Sequence, residues 1–425
     1  MSKKTLLIIV TYNYPFNPPV EQFLDDEIQY LCKENVDIML VPISRCDNGI
    51  MYNSVHNNSN IKVCRLSRYG KILETLIGTF YSVRYIKSLF YDLSNIKKNV
   101  DKIYRNFARK ETLKQYVQGC ALYNEIMRQI PEEEIVDREK LVLYSYWLSP
   151  AMLSVGIIKS VLNKKFGIPV KAYSRAHGDG DLYHKGLEKY RPCKEIINSN
   201  IDCIFSISEN GSRYLKAQGL KCVETQRLGV EKVSVEDFTI NDIPLIVSCS
   251  VVNDNKRVDK IADIISKLDV EVRWIHFGSG PNEDKLKAYC EKILTSKVHW
   301  ELKGWTKHEV IMESYRTMHP DLFINVSKVE GIPVSIMEAM SFSIPCIATA
   351  VGASNEIVID GVNGYLIQQD FDVVNVAQTI KSYFELKKDA KIQMRINAYE
   401  QFTRLFNAEM NYGNFAKRII QLGES

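Results

Sequence analysis

Residues 325–366 read NVSKVEGIPVSIMEAMSFSIPCIATAVGASNEIVIDGVNGYL, and the fold class follows from that stretch. An apolar strand, Asp321 to Val326, runs into a turn through Ser327, Lys328 and Val329. Glu330 and Gly331 follow, and Pro333 stands two residues on. Val334 to Ser341 is compatible with a helix and carries Glu338, and Pro345 breaks the chain ahead of a second apolar strand, Cys346 to Thr349. Two parallel strands joined by a short crossover helix make a βαβ unit, and such a unit binds ligands at the carboxyl end of its first strand. Proline suits a first helical position because it has no amide hydrogen to leave unbonded. The free N–H groups of that turn favour a phosphate or another anion. Glu330 before the helix and Glu338 inside it can flank one ligand from two levels. Carboxylates are poor phosphate ligands and good acceptors for sugar and ribose hydroxyls, so these residues together suggest a nucleotide-sugar pocket. The plainer alternative is a helix cap beside a solvated glutamate.

The chain has 425 residues, long for one hydrophobic core, so two domains are expected. Its net charge of +4 gives no reason to expect nucleic acid as a partner. Ten cysteines lie between Cys32 and Cys346 without a C-x-x-C pair, a pattern that suits reduced thiols in a cytoplasmic protein. The apolar run Leu6 to Val10 has the length of a first strand rather than a secretory signal, and the chain lacks a stretch apolar enough to span a bilayer. Asn57-Asn58-Ser59 fits a glycosylation sequon by coincidence.

Outward from the deciding stretch, strand–loop–helix–strand patterns recur. Thr5 to Val10 is followed by the loop TYNYPFNPPVEQ, an amphipathic run from Phe23 to Cys32, and a second strand, Val36 to Val41. Lys140 to Tyr146 is another strand, with Trp147, Ser149 and Pro150 at a helix start. Val170 to Ser174 leads into RAHGDGDLY, which places Arg175 and His177 at a strand end facing the crevice. Asp179 and Asp181, with His177 and His184 near, could mimic a metal-binding D-x-D group. Pro244 to Val251 opens the second half and runs into VNDNKRVDKIADIISKL, with Lys256 and Arg257 where the helix begins. Cations there oppose the helix dipole unless an anion is bound nearby, which points to a diphosphate clamp. Val272 to Phe277 ends in the tight turn Gly278 to Pro281, a place where backbone can approach a nucleotide.

Residues 62–118 hold 13 Lys/Arg against Glu74, Asp92, Asp101 and Glu111, an excess of nine positive charges. Leu73, Leu76, Ile77, Phe80, Tyr81, Ile86, Leu89, Phe90 and Tyr91 are interleaved among them. A basic helix with bulky apolar residues can lie on an anionic bilayer, so this basic helical insertion is expected to meet a membrane surface or a lipid-linked acceptor. The competing expectation is an insertion whose apolar side packs on its own domain.

The block EGIPVSIMEAMSFSIPCIAT, with Glu330 and Glu338 spaced as E-x7-E, resembles the signature of retaining glycosyltransferases of family 4, and VGASNEIVIDGVNGYLI resembles that family's next block. The likeness is strong over 244–367 and thin over 1–165. It implies an α/β GT-B fold, two Rossmann-like domains facing across a cleft. These are an acceptor-binding domain at 1–238, a nucleotide-sugar domain at 239–402, and a C-terminal helix at 403–425 crossing back to the first. It implies a metal-independent enzyme with no cofactor, moving a hexose from a UDP- or GDP-sugar to a glycan or lipid-linked acceptor in surface-polysaccharide assembly. By residue, it implies that His177 bonds the donor hexose, Lys256 meets the diphosphate, Glu330 holds hexose hydroxyls and Glu338 holds ribose. Gly278 and Gly280 would approach the nucleotide, Trp305 would lie alongside the base, and the helix start at Gly331, Ile332, Pro333 and Val334 would take phosphate. The family's arginine five residues before the lysine is Val251 here, so either Arg257 substitutes or the leaving group is stabilised less. Asn17, Pro18, Pro19 and Val20 stand where the family often has loop glycines. A nucleotide-sugar epimerase on the same fold and a non-catalytic scaffold protein are the competing readings.

Overall fold

A computed structural model describes residues 5–16, 21–44, 51, 55, 58–67, 70–136, 138–148, 150–178, 181, 182, 184–234 and 238–421. Asn17 to Val20, Asn57, Arg68, Ser149, Asp179 and residues 235–237, just before the expected domain boundary, lie outside the described residues. The chain divides into two units, Met1–Leu228 with Glu409–Ser425, and Gly229–Ala408.

Unit 1 runs β1 (Thr5–Thr11), α1 (Gln22–Leu31), β2 (Val36–Pro42), β3 (Ile61–Val63), α2 (Lys71–Ser82), α3 (Ile86–Asn99) and α4 (Arg105–Gln129). It continues through β4 (Leu141–Ser145), α5 (Ala151–Phe166), β5 (Val170–Ala176), α6 (Lys194–Asn200), β6 (Cys203–Ser206), α7 (Glu209–Ala217) and β7 (Val223–Thr225). Its seven strands are all parallel in the order β3-β2-β1-β4-β5-β6-β7. Leu6 to Val10 are all buried, as expected of a central parallel strand covered by helices on both faces.

Unit 2 runs β8 (Leu245–Cys249), α8 (Val258–Ile265), β9 (Val272–Phe277), α9 (Glu283–Ile293), β10 (Val298–Leu302), α10 (His308–Met318), β11 (Leu322–Asn325) and α11 (Val334–Ser341). Then come β12 (Cys346–Thr349), α12 (Ser354–Ile357), β13 (Gly364–Ile367), α13 (Val373–Phe384) and α14 (Lys388–Phe406). Six parallel strands lie in the order β10-β9-β8-β11-β12-β13. In each sheet the order reverses beside the first strand, between β1 and β4 and between β8 and β11, which is where α/β sheets open a ligand crevice.

The ends of unit 2 are clasped: the Val230 N–H donates to the Phe406 carbonyl at 2.8 Å and the Ala408 N–H to the Val230 carbonyl at 3.0 Å. The seams therefore fall after Leu228 and Ala408, rather than after 238 and 402. The last helix, α15 (Ala408–Gln421), lies almost wholly in unit 1, where Phe415 and Ile419 are fully buried with α1, β1 and β4.

One departure from the sequence reading lies beneath that helix. Arg175 does not reach the crevice end of β5: it is wholly buried, ion-paired to Glu27 of α1 at 2.9 Å and donating to the Tyr144 hydroxyl at 2.7 Å. Tyr144 in turn donates to Glu27 at 3.1 Å, and the Phe415 ring lies 4.5 Å from the guanidinium. The charged pair is enclosed by aromatic rings, and burial pushes the Glu27 carboxyl up while the facing guanidinium pulls it down.

Candidate functional site

In unit 2 the loops after β8 and β11, on either side of the order reversal, are built from turn residues that bond each other. The Asn253 side chain accepts the N–H groups of Asn255 and Lys256, at 3.1 and 3.0 Å, which folds the loop back on itself. The Asn255 side chain then bridges to the second loop, accepting from the Val329 N–H at 3.0 Å and donating to the Val329 carbonyl at 3.1 Å. The Asn255 carbonyl takes the Lys328 N–H at 2.8 Å. Asn325, at the end of β11, turns the chain by accepting from both the Ser327 N–H and its hydroxyl.

The result is a short ion pair. Lys256 Nζ donates to Glu330 Oε1 at 2.6 Å, and Asn325 donates to the same oxygen at 3.3 Å. The glutamate side chain is 9 % exposed and the lysine 24 %, so the pair sits at the rim of the fold with its cation open to solvent. Gly352 holds the glutamate's backbone from behind. Its φ is +56°, and a Cβ there would lie 1.8 Å from the Glu330 carbonyl oxygen, so only glycine lets this turn approach. The Ala353 N–H then donates to the Gly331 carbonyl at 3.0 Å.

Beyond Glu330 the chain passes Gly331, buried Ile332 and Pro333 into α11. The first N–H groups accepted within this turn are those of Ile336 and Met337, by the Pro333 carbonyl. Those of Gly331, Ile332, Val334 and Ser335 have no acceptor among the described residues. One turn further in, Glu338 Oε1 lies 3.0 Å from Nε2 of His308, the first residue of α10.

Other expected ligands go elsewhere. Arg257 sits in left-handed backbone at φ +50°, and its guanidinium donates to the carbonyls of Val326 (2.7 Å), Gln369 (2.9 Å) and Ser327 (3.4 Å), with Phe371 against it. Three of its donors are thus taken by protein carbonyls, two of them in the second loop. Gly278 (φ +130°) and Gly280 face protein backbone: a Cβ on them would meet the Ser250 carbonyl oxygen at 1.9 Å and that of Val252 at 2.4 Å. They fit the GSGP turn against the Lys256 loop, with Val252 N–H donating to Ser279 at 3.0 Å, so their contribution is support. Trp305 is 75 % exposed just after β10, a free aromatic face.

In unit 1, His177 follows β5 with its ring 4.6 Å from those of Tyr146 and Trp147, while its buried Nε2 lacks a hydrogen-bond partner among the described residues. Burial, with Arg175 next, pushes the imidazole down to about 3, so the ring is neutral. Asp181 is spent on structure: its carboxylate accepts the Leu148 N–H at 3.2 Å and the His177 N–H at 3.1 Å, and burial pushes it up to about 7. Among the described residues, the one set of metal-type side chains that converges is Cys203, Cys222 and Glu224, and Glu224 is paired with Arg418.

Residues 232–401 match the family model described as glycosyl transferases group 1. An uncharacterized glycosyltransferase of Methanocaldococcus jannaschii is 28 % identical over 249 residues, 58 % of this chain and 65 % of its own length. The lipopolysaccharide 1,6-galactosyltransferase of Escherichia coli is 27 % identical over 132 residues, 30 % of this chain and 35 % of its own length. The matches thus span less than two thirds of these curated relatives. Among solved structures, the apo form of the lipopolysaccharide outer core galactosyltransferase WaaB superposes over 98 % of this chain and 99 % of its own with a TM-score of 0.62 at 15 % identity. Anabaena HepE in complex with UDP and glucose does so over 98 % and 99 % with a TM-score of 0.61 at 13 % identity. At that identity the likeness carries the fold, the two-domain GT-B architecture.

Unit 2 also uses residues that the sequence reading passed over. Asn253, Asn255 and Asn325 look like ordinary turn formers in VNDNKR and NVS, and only their pairing across two loops shows why Lys256 meets Glu330. His308 gave no signal beyond following Gly304 and Trp305, because its partner Glu338 lies thirty positions on.

Proposed function

We propose that the chain is a retaining, metal-independent glycosyltransferase of family 4, moving a hexose from a UDP- or GDP-sugar to a glycan or lipid-linked acceptor in surface-polysaccharide synthesis in the cytoplasm. The observation that carries this reading is the Lys256–Glu330 pair at 2.6 Å beside a helix start with four N–H groups that have no acceptor among the described residues. A cation and a fan of backbone donors suit a departing diphosphate, whose negative charge grows as the glycosidic bond breaks. The helix dipole adds to both. Glu330, once Lys256 turns to phosphate, has an oxygen ready for hexose hydroxyls. Glu338 on the next turn would accept from ribose, and the exposed Trp305 face would stack on the base. In unit 1, His177 offers the neutral imidazole Nε2 that a sugar hydroxyl needs. Relatives named for lipopolysaccharide and colanic acid synthesis, and a structural neighbour titled as a complex with UDP-glucose, support the substrate class.

The proposal does not assign a protein base or nucleophile. Incubating the protein with radiolabelled UDP-, GDP- and ADP-sugars and cell extract tests the reading. Label moved to a lipid or glycan supports it; free epimer, or no turnover with any donor, overturns it in favour of an epimerase or a scaffold.

A further inference from the structure

The three helices that carry the excess charge in unit 1 have two faces of opposite character. The inner face of α2 is closed by Gly78, where a Cβ would lie 2.2 Å from the Val117 carbonyl oxygen of α4, so the two helices touch backbone to backbone. Tyr81 and Leu89 pack inward on the main core beside it. The outer face is the unusual one. Ile72, Leu76 and Phe80, at helical i, i+4 spacing, are 81, 63 and 71 % exposed, and Phe90 on α3 is 65 % exposed. None of the four is buried, so two successive helices leave bulky apolar side chains outward, and the α2 row makes an apolar ridge.

Around the ridge stand Lys71, Lys87, Lys97, Lys98 and Lys102, all exposed and none in an ion pair among the described residues. We propose that this ridge docks on an anionic lipid bilayer and that the acceptor is lipid-borne. The second half rests on the function proposed above. An apolar row that enters the acyl boundary, with lysines whose stems reach headgroup phosphates, meets both needs of such a surface. A second copy of the chain would bring the same positive rim against itself, so self-association is the poorer match.

The inner sides of α3 and α4 grip the segment that follows His177. Asp92 accepts the Tyr116 hydroxyl at 2.9 Å and the Cys193 N–H at 2.8 Å, and Thr112 bonds Tyr190 at 2.7 Å. Docking the outer face therefore fixes the 184–193 segment relative to the bilayer. In sequence that segment begins seven residues after His177 and three after Asp181.

The test is flotation of the full chain with vesicles of phosphatidylglycerol and phosphatidylethanolamine, against phosphatidylcholine alone, at low and high salt. The wild type floats with the anionic vesicles and is partly released by salt. Phe80→Asp, tested with Ile72→Asp, loses flotation at least tenfold while keeping its melting temperature, and Lys97→Gln with Lys98→Gln weakens it at low salt only. Failure of the wild type to float, or unchanged flotation of both apolar variants, overturns the docking. A dimer on gel filtration that Phe80→Asp dissolves overturns it in favour of a second copy. Label from a UDP-sugar recovered in vesicle lipid supports the lipid-borne acceptor. Transfer to soluble glycan alone, without flotation, removes this inference and leaves the proposed function standing; flotation without any transfer removes the function and leaves the docking.

Discussion

The Lys256–Glu330 pair makes a prediction whose sign is informative. At 2.6 Å in a water-like dielectric, Coulomb's law gives about 1.6 kcal/mol for the attraction, a lower bound for a pair whose lysine is 24 % and glutamate 9 % exposed. If the proposed diphosphate binds at the adjacent helix start through that lysine, it must draw it from the glutamate. Glu330→Gln removes the competitor. Uridine diphosphate, which has no hexose to hold, should then bind more tightly, by up to roughly tenfold for 1.4 kcal/mol, while turnover of the sugar nucleotide falls. Lys256→Met should move both the other way, weakening uridine diphosphate and lowering kcat by roughly 100-fold or more, as expected for loss of a group that stabilises charge developing in the transition state. Isothermal titration of uridine diphosphate on the three proteins, with initial rates on the sugar nucleotide, checks the pair of signs. Weakening by Glu330→Gln of the same size as by Lys256→Met would falsify the competition. Affinities unchanged in both variants would detach the pair from the anion altogether.

Asn255→Ala removes two bonds that tie the loops together and should cost about 1–3 kcal/mol, read as a lower urea midpoint, with a larger loss of nucleotide affinity than Arg257→Ala causes. Gly278→Ala sets a Cβ against the Ser250 carbonyl at a φ of +130°, and should destabilise by about 3 kcal/mol or more, seen as a lower melting temperature. His177 has a folded pKa near 3, below its ordinary 6.5, so the native state holds fewer protons than the unfolded chain between those values. Its contribution to stability is therefore present above about pH 6.5 and lost as pH falls toward 3. The His177 ring protons should show no NMR titration step near pH 6.5, and a normal step would refute the buried neutral ring.

Much of the fold was legible because its signals are local. The run Asp321 to Val326, the helix-ready VSIMEAMS and the strand after Pro345 each show their own period, and β11, α11 and β12 lie where those periods end. The expected contents of 62–118 were also readable, but periodicity could not say which apolar residues turn inward. The structure sends Tyr81 and Leu89 in and leaves Phe80 and Phe90 out, because Gly78 fixes the angle at which α2 meets α4. At the site, Lys256 and Glu330 were legible as types at the ends of two strands, whereas their contact depends on Asn255, a residue with no chemical signature of its own. Arg175 and Arg257 show the opposite failure: a cation at a strand end or helix start reads as a ligand, and each proved to be occupied by the protein's own acceptors. For Arg175 the partner lies on α1, almost 150 positions earlier, beyond the reach of any window of sequence.

The position of α15 bears on how the chain comes off the ribosome. Unit 2 is contiguous from Gly229 to Ala408 and clasps its own ends, so everything it needs has emerged before the last helix is made. Unit 1 begins first and finishes last: until Phe415 and Ile419 arrive, the Arg175–Glu27 pair and the rings around it stay uncovered. The usual order of domain-by-domain folding during synthesis is thereby reversed, and the half made second is the one that can be complete first.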